Sequence, residues 1–180
     1  MRVLALILVL VAVSPPLQAN LELSELEARE LRGKISVSFR LLGAFDREGL
    51  TEKLQSGLPT VFAFEIQLVR KRHNWFDSTV ASSTIEVAAT FNSLTREYLL
   101  NYRRDEKLVL SETYRDLDKL KTAMTSFVEK DLFDSPDGRI EGHRVRVRSE
   151  ILSEIAFFIV PRKVGTDWRA CRIARDEAQR

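Results

Sequence analysis

Between Thr60 and Arg70 every second residue is bulky and apolar. Phe62, Phe64, Ile66 and Leu68 fall on one side and Glu65 and Gln67 on the other, the period-two pattern of a strand with one buried face. A second run rich in Val, Thr and Ile, Ser78 to Phe91, follows the polar, aromatic-tipped connection Arg70 to Asp77. Two long strands with a short link predict an antiparallel hairpin. Its apolar face needs a cover, so the rest of the chain must supply further strands or helices to bury it.

The remaining segments offer both. Lys34 to Leu42 alternates, with Ile35, Val37, Phe39 and Leu41 on one face. Thr95 to Arg103 places Tyr98, Leu100 and Tyr102 together, and Leu108 to Leu110 reads as a short strand. His143 to Ile151 alternates Val145 and Val147 with Arg144, Arg146 and Arg148. Trp168 to Ala174 fits a final strand. Asn20 to Arg32 mixes Leu and Glu in a way that suits either a helix or a strand. Ile155 to Val160, closed by Pro161, is a buried strand or a short helix. Asp46 can cap a short helix carrying Leu50 and Leu54, which Gly57 ends and Pro59 cannot extend. A second helix is expected from Asp116 to about Lys130, with Leu117, Leu120, Met124, Phe127 and Val128 as its apolar stripe. Strands joined by short turns favour antiparallel pairing. The expected fold is α+β and β-rich: one or more antiparallel sheets, a sandwich among the arrangements, with two helices on a face or edge. No repeat or long linker divides the chain, so residues 20–180 are expected to form a single domain.

The N-terminus reads as an address. Arg2 precedes an unbroken apolar run, Val3 to Val13, and then Pro15, Pro16 and Ala19. A positive start, a short apolar stretch, helix breakers and a small residue describe a secretory signal peptide over residues 1–19. At ~1.5 Å per residue such a stretch covers only about half of a ~30 Å hydrocarbon layer, so a retained N-terminal anchor is the lesser alternative. Export to the periplasm or envelope is therefore expected. Cleavage after Ala19 leaves 161 residues with 27 basic and 26 acidic side chains. So even a balance gives no broad drive toward nucleic acid, whose binding is dominated by phosphate neutralisation.

The chemical inventory is thin. One Cys excludes an internal disulfide framework, and two His seventy positions apart do not make a metal cluster. Cys171 lies beside Trp168 and Ile173, where a small packed residue is the ordinary reading and a nucleophile would need a basic partner supplied by the fold. No nucleophile elbow, phosphate loop or dinucleotide fingerprint is present, and no cofactor is expected. Two surface features stand out. Arg70, Arg72, Trp75 and Phe76 place cations and large aromatics at a hairpin tip, a candidate contact for a protein or an anionic lipid surface. Arg144, Arg146 and Arg148 could clamp an anion, although such a ladder is more often the wet face of a sheet balanced by Glu, with Glu86 or Glu97 within reach.

The stretch from Ser56-Gly57-Leu58-Pro59 through the alternating strand to Arg70 resembles a bacterial exported family catalogued as domain of unknown function 4390. The preceding strand Ile35 to Phe39, the Gly43-Ala44-Phe45 connection, and the later Trp75-Phe76-Asp77, Tyr98 and Val145-Arg146-Val147 fall where that family's pattern expects them. The resemblance covers about residues 34–150. It implies export and one domain, and it carries no activity or catalytic residue.

Three functional readings follow. The leading one is a non-enzymatic binding or assembly module of the cell envelope, with a protein or the membrane surface as partner. The second is a carrier of a small apolar ligand held near Phe62, Phe64 and Met124. The third is a hydrolase-like enzyme, which needs Cys171 or a His beside a carboxylate.

Overall fold

A computed structural model describes residues 21–47, 49–72, 77–136, 140–152 and 164–175. The leader, the aromatic pair Trp75-Phe76 and the Ile155–Val160 run lie outside the described residues. Ten strands and two helices follow one another as β1 (Glu22–Leu31), β2 (Lys34–Leu42), α1 (Leu50–Gln55), β3 (Thr60–Arg70), β4 (Ser78–Asn92), β5 (Glu97–Arg104), β6 (Lys107–Tyr114), α2 (Leu117–Thr125), β7 (Ser126–Asp134), β8 (His143–Leu152), β9 (Val164–Gly165) and β10 (Arg169–Arg175). All strands belong to one sheet, in the order β6-β5-β4-β3-β8-β10-β1-β2-β7, with β9 beside β8. The fold is the expected β-rich α+β, a single mixed sheet curled into a half-barrel.

Twist and bulges curl the sheet. Register shifts interrupt β1 between Ser24 and Glu27, β2 against β7 near Ile35, and β5 against β6 at Tyr102. Glu25 and Asp131 take positive φ at two of these irregularities. The curl brings the two ends of the sheet face to face: the Tyr102 ring on β5 lies 6.4 Å from Phe127 on β7. The concave side holds the core. Phe39, Phe64 and Phe127 form a tilted trio with centroids 4.6–5.3 Å apart. Phe62, Ile66, Val87, Val145 and Val147 fill the same interior. The hairpin expected between Thr60 and Phe91 is present, with Phe62 opposite Val87 and Phe64 opposite Ile85.

Three local expectations are corrected, and one alternative left open is decided. The second helix stops at Thr125 rather than near Lys130, because Ser126 turns extended and Phe127 and Val128 become β-strand residues paired with β2. Phe127 is buried while Val128 is 71% exposed, the alternation of a strand. The first helix begins after Gly49, which takes φ +83, and Asp46 does not cap it. The mixed Leu/Glu segment is strand β1, whose bulge breaks the period-two pattern. Finally, β1 and β10 pair in parallel over Ala28–Ile173, Arg29–Ala174 and Glu30–Arg175, the one departure from antiparallel pairing among the described residues.

The helices sit at the rim. Leu50 and Leu54 of α1 are buried, and α1 packs on β3 and β4. Asp116 caps α2 as expected, its carboxylate accepting from the Asp118 and Lys119 amides at 2.9 and 3.0 Å. Leu120 and Met124 enter the core, and α2 bridges β2 and β7 on one side and β4, β5 and β6 on the other.

Candidate functional site

The convex face of β3 and β8 carries the arginine ladder. Antiparallel register sets Arg148 opposite Glu65 and Arg146 opposite Gln67. Arg148 donates to Glu65 at 2.8 Å, and Arg146 donates twice to the Gln67 carbonyl oxygen at 2.9 and 2.6 Å. Gln67 in turn donates to Glu65. The Trp168 ring lies against both guanidinium groups, at 4.5 and 4.8 Å. Two rungs are thus engaged from the side and from above. Their partner acid is Glu65, not the Glu86 or Glu97 expected from sequence, and Trp168 belongs to this cluster as well. The β3–β8 register reveals the first fact, and the β10–β8 pairing that brings Trp168 beside the ladder reveals the second.

Arg144 differs. It sits opposite Arg172 of β10, two cations on one face, and neither has an acidic partner among the described residues. The end of β3 adds Arg70, Lys71 and Arg72, all exposed, with the Lys71 amide tied to the Gly142 carbonyl at 2.8 Å. The structure therefore places Arg70, Arg72 and Arg144 at the same end of the sheet and separates Arg146 and Arg148 from them by their neutral and acidic partners.

A second surface is strand β6. All but its last residue are exposed, and its outer edge pairs with no strand among the described residues. Leu108, Val109 and Leu110 are 59%, 54% and 44% exposed. What reads in sequence as a three-residue strand is an eight-residue one.

The interior offers a different picture. Phe62, Phe64 and Met124 are fully buried within the core cluster, and none of them lines either of the two grooves described next. A groove of about 480 Å³ lies outside them, between Tyr114, Asp116 and Ala123. Another of about 350 Å³ follows the β1–β10 seam past Leu26, Arg29, Cys171 and Arg172. Burial, and secondarily the Glu27 carboxylate, push the Cys171 thiol up to about 11, away from the thiolate a nucleophile needs. Among the described residues no group of three or more His, Cys, Asp or Glu is placed to hold a metal.

Two acids are buried, Glu30 on β1 and Glu129 on β7. Glu129 on β7, only 9% exposed, accepts from the Tyr102 hydroxyl at 2.5 Å and from Arg104 at 3.4 Å. Burial first, and the bond to Glu129 second, raise the Tyr102 hydroxyl far above the usual phenol range. This is a tie between the two ends of the sheet, with no cleft leading to it among the grooves described above.

The fold and its surfaces define a β-dominated half-barrel with one open, apolar strand edge and a basic corner. The family described as Domain of unknown function (DUF4390) matches residues 18–156, and the chain belongs to it. No curated protein and no solved structure matches.

Proposed function

We propose that this protein is a non-enzymatic binding or assembly module of the bacterial cell envelope, exported by its N-terminal leader and joined to a partner protein through the β6 edge. The observation that supports binding is the Leu108-Val109-Leu110 stretch. An edge strand with unpaired backbone groups and exposed apolar side chains is the surface to which a partner's extended segment adds as a further strand. Export is supported by the Arg2 and Val3–Val13 leader. The Arg70, Arg72, Trp75 and Phe76 tip is a second contact in this reading. The carrier reading gains nothing from a core in which Phe62, Phe64 and Met124 are already packed.

Two experiments test the proposal. Tagged protein is recovered from envelope extracts with its partners, alongside a Val109→Pro variant and a Trp75→Ala/Phe76→Ala variant. Loss of a specific partner in Val109→Pro is expected, because Pro removes an edge donor and kinks the strand. Recovery unchanged by Val109→Pro removes the edge from the proposal, and recovery unchanged by the aromatic variant removes the tip. Cell fractionation should find a shortened chain outside the cytosol; an intact chain dissolved in the cytosol overturns the envelope role.

A further inference from the structure

We infer that the basic corner formed by Arg70, Lys71, Arg72, Arg144 and Arg172 is a docking site for the phosphate headgroups of an anionic phospholipid surface. The reason lies in a contrast along one strand. Arg146 and Arg148 face Gln67 and Glu65 and are covered by Trp168. Arg144, two residues before Arg146 on the same face, faces Arg172 instead. Like charges directly opposite across a sheet destabilise it, and a chain with nearly equal numbers of acids and bases has the means to avoid the pairing. An external anion removes that repulsion.

The corner is also locally unbalanced. Its five cations come from the end of β3, the start of β8 and the middle of β10, which register and the Lys71–Gly142 bond hold near one another. The acids that flank these positions in the chain are Asp77 and Glu141, and Glu27 of β1, which lines the same groove as Arg172, is engaged by Arg29. Arg guanidinium groups match phosphate oxygens in a two-pronged geometry. The shape selects the source of the phosphate. A free anion is held in a concavity with buried donors, whereas four of these cations are exposed and Arg144 is half-buried, all on the surface toward one end of a sheet. Exposed cations spread over a convex corner fit a plane of headgroups, where each adds a modest, salt-sensitive attraction. The inference relies on the envelope reading only for the presence of such a surface, and the vesicle assay below does not depend on that reading.

The test uses purified protein and vesicles of phosphatidylcholine with or without one quarter phosphatidylglycerol, in ~0.1 M salt where the screening length is about 10 Å. Binding to the phosphatidylglycerol vesicles is expected, and raising the salt to about 0.5 M should release it. Replacing both Arg144→Gln and Arg172→Gln should weaken it about thirty-fold, the effect of two surface cations. Arg115→Gln, which removes a cation at the opposite end of the sheet, should leave binding nearly unchanged. Arg172→Glu is the variant that separates binding from folding: it places opposite charges across β8 and β10, so thermal stability should rise while vesicle binding falls. Equal binding to both vesicle types, no binding to either, or an equal loss in Arg115→Gln overturns the inference. So does millimolar inorganic phosphate that binds alone and displaces the vesicles, since that would make the corner a site for the free anion.

Discussion

Replacing Tyr102 by Phe tests how the half-barrel is held shut. The change removes one hydroxyl and keeps the ring, including its contact with Phe127 at 6.4 Å. Glu129 then loses its 2.5 Å donor and retains only Arg104 at 3.4 Å, while remaining 9% exposed. A hydrogen bond to a charged group contributes ~1.5–3 kcal/mol, and a poorly satisfied buried carboxylate keeps its desolvation cost. A loss of about 2 kcal/mol is expected, which for a domain of this size lowers Tm by about 4–8 °C. Urea unfolding of Tyr102→Phe, Glu129→Gln and the double variant supplies the pairwise coupling, expected at about 1–2 kcal/mol. The same variant carries a pH signature. Because the folded-state pKa of Tyr102 is raised, its contribution is fully present below the unfolded value near 10 and is lost as pH rises beyond that. The parent should therefore lose stability more steeply than Tyr102→Phe above pH 10. A Tyr102→Phe variant within about 0.5 kcal/mol of the parent, or a coupling near zero, refutes the idea that this bond ties the sheet's two ends.

Other expectations follow from single sites. Phe64→Ala empties the centre of the aromatic trio and should cost about 3–5 kcal/mol in urea unfolding. Gly57→Ala forces a side chain onto φ +83 with its Cβ 3.3 Å from the Phe91 carbonyl, and about 1–2 kcal/mol should be lost. Trp168→Ala strips the cover from Arg146 and Arg148 and should lower stability by about 1–2 kcal/mol, read from the denaturation midpoint. Cys171→Ala should flatten the stability loss between pH 9 and 11. The thiol's raised pKa makes its contribution complete below its ordinary value of 9.0 and absent above about 11.

Local alternation made β2, β3, β4, β5 and β8 legible, because each strand has one wet face and one buried face. It failed where that alternation breaks or has a rival. Leu117, Leu120, Met124 and Phe127 satisfy a helical spacing, and only pairing with β2 decides that Phe127 is extended. The bulge at Glu25 hid β1. The three arginines of β8 were visible as a ladder, but their unequal roles depend on what lies across the strands: Gln67 and Glu65 for two, Arg172 for the third. Nothing in the order of residues announces that β1 and β10 meet. The exposed edge was undervalued for a related reason, since Lys107 to Tyr114 lacks the one-sided pattern of a covered strand.

The parallel seam between β1 and β10 gives the chain a clasp made last. Three residue pairs link Ala28–Glu30, near the start, to Ile173–Arg175, near the end. Until β10 emerges, the backbone ladder is two separate pieces, β6-β5-β4-β3-β8 and β1-β2-β7. Contacts so distant along the chain slow folding and leave edges bare while it waits. Under the export proposed above, a chain crossing a pore in extended form would gain from this delay, because its final architecture cannot lock until the closing strand has followed the rest.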